Sequence, residues 1–217
     1  ASNALKLAAD TVSIINTLDL QDGQMTTNNR LVLLSNASNT ARIAEITNAS
    51  ITGNVIAQRF MPGGSNKRRW SYLSSPVNVG GSISLTQFID DIFVTGAGGA
   101  TNGFDNSPNN NPSIRTYDET ITGVVDNGWV APANINTSYQ TATGFEVFGR
   151  GSRATPNPFD PTSVPLDATI DLIGVINQGN ITKNLSYTNT GVSSADGYNL
   201  VGNPYTSQID FKAAGMV

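Results

Sequence analysis

Short apolar clusters separated by polar turns make up the first sixty positions of the chain. The segments between the clusters, such as QDG, TNN and SNASNT, are rich in residues that favour tight turns. This pattern predicts a strand-rich N-terminal segment over residues 1–62, folded as a meander or in a solenoid-like way. The spacing is too irregular to predict a regular repeat array. The apolar clusters are Val12–Ile15, Leu18–Leu20, Leu31–Leu34, Arg42–Ile46 and Val55–Phe60.

A second strand-rich portion is predicted over residues 63–217, after a hinge at MPGGSN (Met61–Asn66). In KRRWSYLSSPV, strand alternation places Trp70 and Tyr72 on one face. Two similar stretches, WSYLSSP (70–76) and YNLVGNP (198–204), suggest equivalent strands in the two halves of a β-sandwich. The fold class expected is therefore all-β, with a jelly-roll-like β-sandwich as the second portion. The further strands predicted are SIRTY, GFEVF, TIDLIGVI, ITKNLSY and YNLVG.

One short helix is predicted at SISLTQFIDDIF. Its apolar residues follow the i, i+3, i+4, i+7 spacing of one helix face, and Ser84 is a suitable N-cap. The acidic pair Asp90–Asp91 is expected on the solvent side of this helix. The apolar residues of the face are Leu85, Phe88, Ile89 and Ile92.

Composition narrows the function more than it narrows the fold. Of 217 residues only 13% are charged, the net charge is −4, and neither cysteine nor histidine is present. A net acidic chain with few basic residues argues against a nucleic-acid partner. Without cysteine and histidine there is no disulfide, no zinc finger and no Ser-His-Asp triad, so we expect no enzyme. No run of 18 apolar residues predicts a membrane span, no signal peptide opens the chain, and the surface rich in Asn and Thr indicates an extracellular protein.

The stretch GFDNSPNNNPSIRTYDE (103–119) carries oxygen-bearing side chains on alternate residues. This spacing is typical of calcium loops, and an acid beyond the loop would complete the shell. The competing interpretation is a polar loop whose Asp and Asn side chains bond the nearby backbone. The loop has a single carboxylate and is interrupted by Pro108, which favours the polar loop. The candidate calcium ligands are Asp105, Ser107, Asn109, Asn111 and Asp118.

A saccharide site is the second candidate, because exposed aromatic rings beside Asn and Asp residues suit a sugar ring. The candidates are Trp129, next to the DNG turn, together with Tyr117 and Tyr139. A tryptophan of a β-sandwich is also commonly part of the core. Carboxylate catalysis is disfavoured, because Asp118 and Glu119 are neighbours on a predicted strand and point to opposite faces. The basic cluster NKRRW fits an anionic surface or, preferably, the protection of an edge strand.

Six segments occur in an order that resembles a module of large secreted or cell-surface proteins of Bacteroidetes bacteria. The resemblance runs from Leu18 to Phe211 and implies an exported, all-β, adhesin-like parent of several domains that uses type IX secretion, with no catalytic residue to carry over. Such proteins continue beyond FKAAGMV, which implies a truncated module. DTV at Asp10–Val12 also resembles the O-glycosylation signal of these bacteria. The segments are TARIAEITNASITGNVIAQRF, RRWSYLSSPV, GFDNSPNNNPSIRTYDE, GWVAP, GFEVFGRGSR and GYNLVGNPYTSQIDF.

We therefore expect a non-enzymatic structural or adhesion module of a secreted or cell-surface bacterial protein. The alternative is a carbohydrate-binding module, calcium-assisted, of a secreted polysaccharide-degrading enzyme. A third hypothesis is a surface-filament subunit whose unfinished sheet accepts a strand from a neighbour. The expected partners are other domains of the parent protein and host or environmental glycans or proteins, without nucleic acid or membrane insertion. Calcium is the one cofactor that the sequence pattern suggests.

Overall fold

The N-terminal strands stack in parallel rather than forming a meander. The structure is a computed structural model, and it describes residues 4–191 and 196–210. Its first eight strands are β1 (Ala4–Lys6), β2 (Val12–Ile14), β3 (Thr17–Leu18), β4 (Gly23–Thr26), β5 (Leu31–Leu33), β6 (Arg42–Ile43), β7 (Ala49–Thr52) and β8 (Asn54–Met61). Pairing is parallel within β1-β4-β7, β2-β5-β8 and β3-β6. Successive coils of the chain therefore lie on one another, which is the solenoid-like alternative of the sequence prediction.

Apolar stacking and asparagine corners explain this arrangement. Leu31 pairs with Val55 and Leu33 with Ala57, and all four side chains are buried. At the TNN corner, Asn28 and Asn29 have φ of 49° and 60°, a left-handed conformation that asparagine tolerates better than most residues. The side chain of Asn29 accepts a hydrogen bond from the amide of Asn54 at 3.2 Å, which ties this corner to the next coil. The turn residues thus connect coils as well as reverse the chain.

The described residues of the second portion form eight strands and a one-turn helix. Four of the strands form an antiparallel sheet in the order β13-β12-β15-β9, and β11 pairs with β14. Two short 3-10 helices are also present, at Gly99–Asn102 and Val125–Gly128. The elements are β9 (Trp70–Leu73), β10 (Val77–Asn78), β11 (Ser82–Ser84), α1 (Thr86–Ile89), β12 (Ile114–Tyr117), β13 (Trp129–Val130), β14 (Ser138–Gln140), β15 (Phe145–Phe148) and β16 (Ala168–Ile176).

The long strand β16 joins the two portions in one sheet. It pairs antiparallel with β8 from Ala168 opposite Met61 to Val175 opposite Asn54, and the full sheet order is β10-β16-β8-β5-β2. Gly174 makes room for β10, since a Cβ there would lie 2.4 Å from the carbonyl oxygen of Asn78. The residue-62 boundary thus marks a change from parallel to antiparallel pairing within a continuous sheet. Independent folding of residues 1–62 stays a prediction.

One apolar cluster extends through both portions. It contains residues of the coils (Leu31, Val55), of β16 (Ile170) and of the antiparallel sheet (Ile114, Phe145), all of them completely buried. The all-β class and the single short helix are confirmed for the described residues. The jelly-roll-like sandwich arrangement of residues 63–217 stays a prediction.

The helix is shorter than its sequence pattern suggests. It spans one turn, Leu85 is its N-cap, and Ser84 ends β11. Ser84 still contributes locally, because its hydroxyl accepts a 3.3 Å hydrogen bond from the amide of Thr86. Asp91, expected on the solvent side, instead accepts a 2.7 Å hydrogen bond from the amide of Asp171 on β16. Asp91, just after the helix, therefore attaches the end of the helix to β16.

Two predicted strands, ITKNLSY and YNLVG, are wrong. Neither forms a ladder, and the second contributes only an isolated bridge between Val201 and Thr143. The side chain of Asn199 accounts for this, since it donates to the carbonyl of Ser186 at 2.8 Å and accepts from the amide of Ser186 at 3.3 Å. An asparagine side chain thus takes the place of the backbone pairing, and the equivalence of 70–76 with 198–204 does not hold.

The shared core makes a testable prediction about β16. Replacement of Ile170, which is fully buried, by alanine should cost about 2–5 kcal/mol of unfolding free energy because it leaves a cavity. Ile173 lies on the same strand but is 45% exposed, so Ile173→Ala should cost less than about 0.5 kcal/mol. Urea denaturation measures both, and Ile170→Ala should shift a single transition. Two separate transitions, only one of them shifted, would contradict a shared core.

Candidate functional site

The predicted calcium loop is held by the protein's own groups. Asp105 accepts a hydrogen bond from the amide of Val94 at 2.7 Å, and both of its carboxylate oxygens lie 2.7 Å from Nη1 of Arg153. Its side chain is only 13% exposed, and the guanidinium of Arg153 also lies 4.4 Å from the ring centre of Phe93. Asp105 therefore fixes the start of the loop to the segment after the helix.

The other candidate calcium ligands bond within the loop or lie away from it. Ser107 exchanges two hydrogen bonds with Asn110, at 3.0 and 3.3 Å, and Asn109 accepts from the amide of Asn111 at 3.2 Å. Asp118 follows β12, at the opposite end of that strand from the loop, and bonds Thr120. In the described part of the chain, no group of three or more Asp and Glu side chains could hold a metal ion. The geometry is that of a polar loop, and calcium binding stays a prediction.

Aromatic side chains gather instead on one surface of the antiparallel sheet. Strand alternation places them on the side opposite to the buried Phe145 and Val147. Two pairs of these aromatic residues are neighbours on adjacent strands: Phe148 lies opposite Trp70, and Tyr117 lies opposite Trp129. We call this surface the aromatic face and define it by Trp70, Tyr72, Tyr117, Trp129 and Phe148.

An arginine is inserted between the two tryptophans of the aromatic face. The guanidinium carbon of Arg115 lies 4.2 Å from the ring centre of Trp70 and 4.7 Å from that of Trp129. Its Nε donates to Glu146 at 2.5 Å, and Glu146 is 7% exposed. Stacking of a guanidinium on an aromatic ring is worth about 0.5–2 kcal/mol, more when it is shielded from water. Arg115 therefore fixes the orientation of both rings, and Glu146 fixes Arg115.

Tyr72 is the exposed ring of the face. It is 67% exposed and lies nearly parallel to Trp129, with 6.4 Å between ring centres and 20° between planes. Tyr117 has a supporting position, because its hydroxyl donates to the carbonyl of Val125 at 2.8 Å and its ring meets Trp129 edge-on at 5.2 Å. Gly128 allows this, since a Cβ there would lie 2.4 Å from the ring of Tyr117. The face thus offers an exposed ring on rigid support.

The third predicted sugar-stacking residue lies elsewhere. Tyr139, on β14, packs edge-on against the buried ring of Phe145 at 5.2 Å, and burial raises the pKa of its hydroxyl. It borders a groove of about 260 Å³ that Tyr117 and Lys183 also border. The structure therefore brings Trp129 and Tyr117 together on the aromatic face, and it places Tyr139 with the core side of the sheet.

Glu119 is a buried carboxylate that forms no ion pair with any residue that the structure describes. It accepts hydrogen bonds from the amide of Thr188 at 2.5 Å, from the hydroxyl of Thr188 at 3.0 Å and from the amide of Gly197 at 3.1 Å. These bonds, chiefly that of the Thr188 amide, lower the pKa of Glu119 below its ordinary 4.5. The carboxylate therefore anchors Thr188 and Gly197, neither of which belongs to a strand, to the end of β12. Glu119 and its neighbour Asp118 both follow β12, which ends at Tyr117, so the prediction that they lie on the strand is wrong; Asp118 is exposed.

Sequence reasoning identified Trp129 and Tyr117 but missed Tyr72, Arg115 and Glu146 as parts of the same surface. Strand alternation places Trp70 and Tyr72 on the same face of β9, and this pattern could have identified the part of the aromatic face that β9 contributes. The grouping of four strands, and hence the meeting of Tyr72 with Trp129, depends on the sheet order, which alternation does not supply.

No protein-family model, curated protein or solved structure matches this chain. Membrane-spanning helices are also lacking among residues 4–191 and 196–210, where no helix has the length and apolar character to cross a bilayer. The likeness to Bacteroidetes surface proteins, and with it secretion, stays a prediction.

The loop geometry predicts a stability effect that does not depend on calcium. Asp105→Ala removes the partner of Arg153 and of the Val94 amide, and should cost about 2 kcal/mol, the range for hydrogen bonds to charged groups. Thermal melts in EDTA and in calcium should show the same loss, whereas Asn109→Ala, on the exposed side of the loop, should melt like the wild type. A wild-type midpoint that rises with calcium, and no longer rises in Asp105→Ala, would establish the calcium site instead.

Glu119 makes a prediction about acid stability. A lowered pKa in the folded state means that the carboxylate stabilises the fold above its ordinary pKa of 4.5, and that this contribution disappears as pH falls through the lowered value. Glu119→Gln should therefore be less stable at neutral pH and should lose less stability on acidification. Urea denaturation across the acid range measures this, with Glu45→Gln, an exposed site, as the matched control. Parallel pH profiles for Glu119→Gln and wild type would refute the anchoring role.

Proposed function

We propose that this chain is a non-enzymatic adhesion module of a secreted or cell-surface bacterial protein, and that it adheres by binding saccharides on the aromatic face. The observation that carries the proposal is the exposed ring of Tyr72 beside Trp129, supported from below by Arg115 and Glu146. Saccharides present a flat apolar ring face with polar groups around its edge. A rigid aromatic surface that contains a fixed guanidinium is complementary to both.

Rigidity favours binding over a purely structural role for this surface. A ring that is already fixed loses little conformational entropy when a ligand docks on it. Trp129 is held by Arg115 on one side and by the edge of Tyr117 on another. Tyr72 nevertheless keeps two thirds of its surface in water, although burial of that surface would favour stability. A ligand that covers the ring would remove this apolar surface from water and so recover the free energy that the exposure costs.

The chemistry of the face fits binding rather than catalysis. The chain has no histidine and no cysteine, and Glu146, the carboxylate beside Arg115 on the aromatic face, is buried and bound to that arginine. A pair of carboxylates that flanks a glycosidic bond is the usual requirement for hydrolysis. The same face would serve a carbohydrate-binding module of a polysaccharide-degrading enzyme, and the domains of the parent protein distinguish that alternative from an adhesin.

The proposal predicts that Tyr72 carries binding energy but little stability. Tyr72→Ala should weaken the affinity for a bound glycan about fivefold to tenfold, which corresponds to about 1–1.4 kcal/mol for one lost stacking contact. Tyr72→Phe keeps the ring and should retain the affinity. Val79→Ala removes a side chain that is 60% exposed near β10 and serves as the matched control. All three variants should melt like the wild type.

A glycan array with and without EDTA, followed by calorimetry on the glycans that bind, measures these effects. Binding that EDTA abolishes would assign the calcium-assisted version of the function. The proposal fails if no glycan binds in either condition, or if Tyr72→Ala binds as tightly as the wild type.

A further inference from the structure

Phe148 connects the aromatic face to a group of three arginines. The guanidinium carbons of Arg150 and Arg68 lie 5.0 and 5.8 Å from the ring centre of Phe148, whose other neighbour is Trp70 at 5.3 Å. Arg150 also lies 5.8 Å from the ring centre of Phe159. We call Arg68, Arg150 and Arg153 the arginine cluster. It extends the aromatic face beyond the end of β15.

Two members of the arginine cluster have partners within the protein. Arg153 is paired with Asp105 at 2.7 Å. Arg68 donates to the carbonyl of Pro158 at 2.8 Å and is close enough to Asp160 to help lower the pKa of that carboxyl, which Thr162 lowers more strongly. The local carboxylates are therefore already engaged with these two arginines or with backbone and hydroxyl donors.

Arg150 has no such partner. Its Nε and Nη1 are buried and make no hydrogen bond to any residue that the structure describes. Its Nη2 is not among the buried atoms and likewise makes no hydrogen bond within that part of the chain. Buried donors without partners are uncommon in folded proteins and are costly. Contacts with Phe148 and Phe159 compensate only partly for the lost water.

The charge of Arg150 is retained and poorly neutralised. Burial, with a further contribution from the charge of Arg68, lowers its pKa to about 10, and the negative charge of Asp105 offsets only part of this shift, so the side chain is protonated at neutral pH. A cation that has lost part of its hydration gains more from a docked anion than a fully hydrated cation does. A guanidinium is also the side chain best suited to carboxylate and sulfate oxygens.

We propose that the saccharide bound on the aromatic face is anionic, and that the arginine cluster, through Nη2 of Arg150, binds its carboxylate or sulfate groups. This inference rests on the proposed function, since it assigns the ligand class of the same surface. The protein's net charge of −4 does not oppose it, because charges more than about 10 Å away are largely screened at physiological salt. Six of the 12 basic residues belong to the NKRRW stretch, the arginine cluster and Arg115.

The test compares three polysaccharides of similar length: a polyuronate, a sulfated chain and a neutral glucan. Calorimetry should show at least tenfold tighter binding of an acidic chain than of the neutral one, and the advantage should shrink as salt rises. The polyuronate and sulfate arms identify which acidic group is bound, and tight binding of either supports the proposal.

The variant that isolates the interaction is Arg150→Met, which keeps an unbranched stem between Phe148 and Phe159 but removes the charge. It should lose about tenfold in affinity for the acidic chain and nothing for the neutral one. Arg59→Met, at an exposed site on β8, removes the same charge elsewhere and should bind like the wild type. If Arg150→Met does not fold, the salt dependence of the wild type and the half-buried Arg68→Met test the same point.

Each outcome has a distinct meaning. Equal affinity for neutral and acidic chains overturns the anionic assignment and leaves saccharide binding intact. An acidic chain that binds well to a folded Arg150→Met also overturns it. The absence of binding to any of the three chains overturns the proposed function and this inference together.

Discussion

The antiparallel pairing of β16 with β8 is the interaction on which the rest of the structure depends. Strand β8 ends the parallel coils, and without a partner its free edge would expose a row of backbone donors and acceptors. Strand β16 covers this edge over eight residue pairs and carries Ile170 and Leu172 into the shared apolar cluster. It also places β10 beside the sheet, where Gly174 makes the close approach possible. The coils and the antiparallel strands are thus two ways of building one continuous core.

The antiparallel sheet β13-β12-β15-β9 has two faces, and different side chains cover each of them. Its inner side contributes Ile114, Phe145 and Val147 to the core. The outer side is covered by its own long side chains, with Arg115 between Trp70 and Trp129. A layer of rings and guanidinium groups excludes water from the strands and still presents polar edges. The saccharide site that we propose therefore uses side chains that also cover this side of the sheet, and Tyr72 is the one whose ring stays mostly exposed.

How far the sequence predicts this molecule depends on the range of the interactions involved. Alternation in WSYL and the apolar clusters of residues 12–60 are local patterns. They predicted the common face of Trp70 and Tyr72 and the strands β2, β3, β5, β6 and β8, but not β1, β4 or β7. ITKNLSY and YNLVG show the same alternation but form no ladder, because Asn199 bonds Ser186 through its side chain. The spacing of oxygen-bearing side chains over residues 105–111 is compatible with a calcium loop as well as with a polar loop. What alternation could not show was Arg153, which is 48 positions away and occupies the carboxylate of Asp105.

Glu119 and Arg150 are opposite cases of charge removed from water. Glu119 accepts hydrogen bonds from amide and hydroxyl donors of Thr188 and Gly197, which compensate its charge without a cation from the described residues. Arg150 has two buried nitrogens with no hydrogen-bond acceptor in the described chain, and its guanidinium lies against the rings of Phe148 and Phe159. Buried polar groups of a stable fold are normally satisfied, as Glu119 is. The difference locates an incompletely satisfied cation at the end of the aromatic face, and Nη2, the nitrogen of Arg150 that is not buried, is the atom that the proposed acidic group would bind.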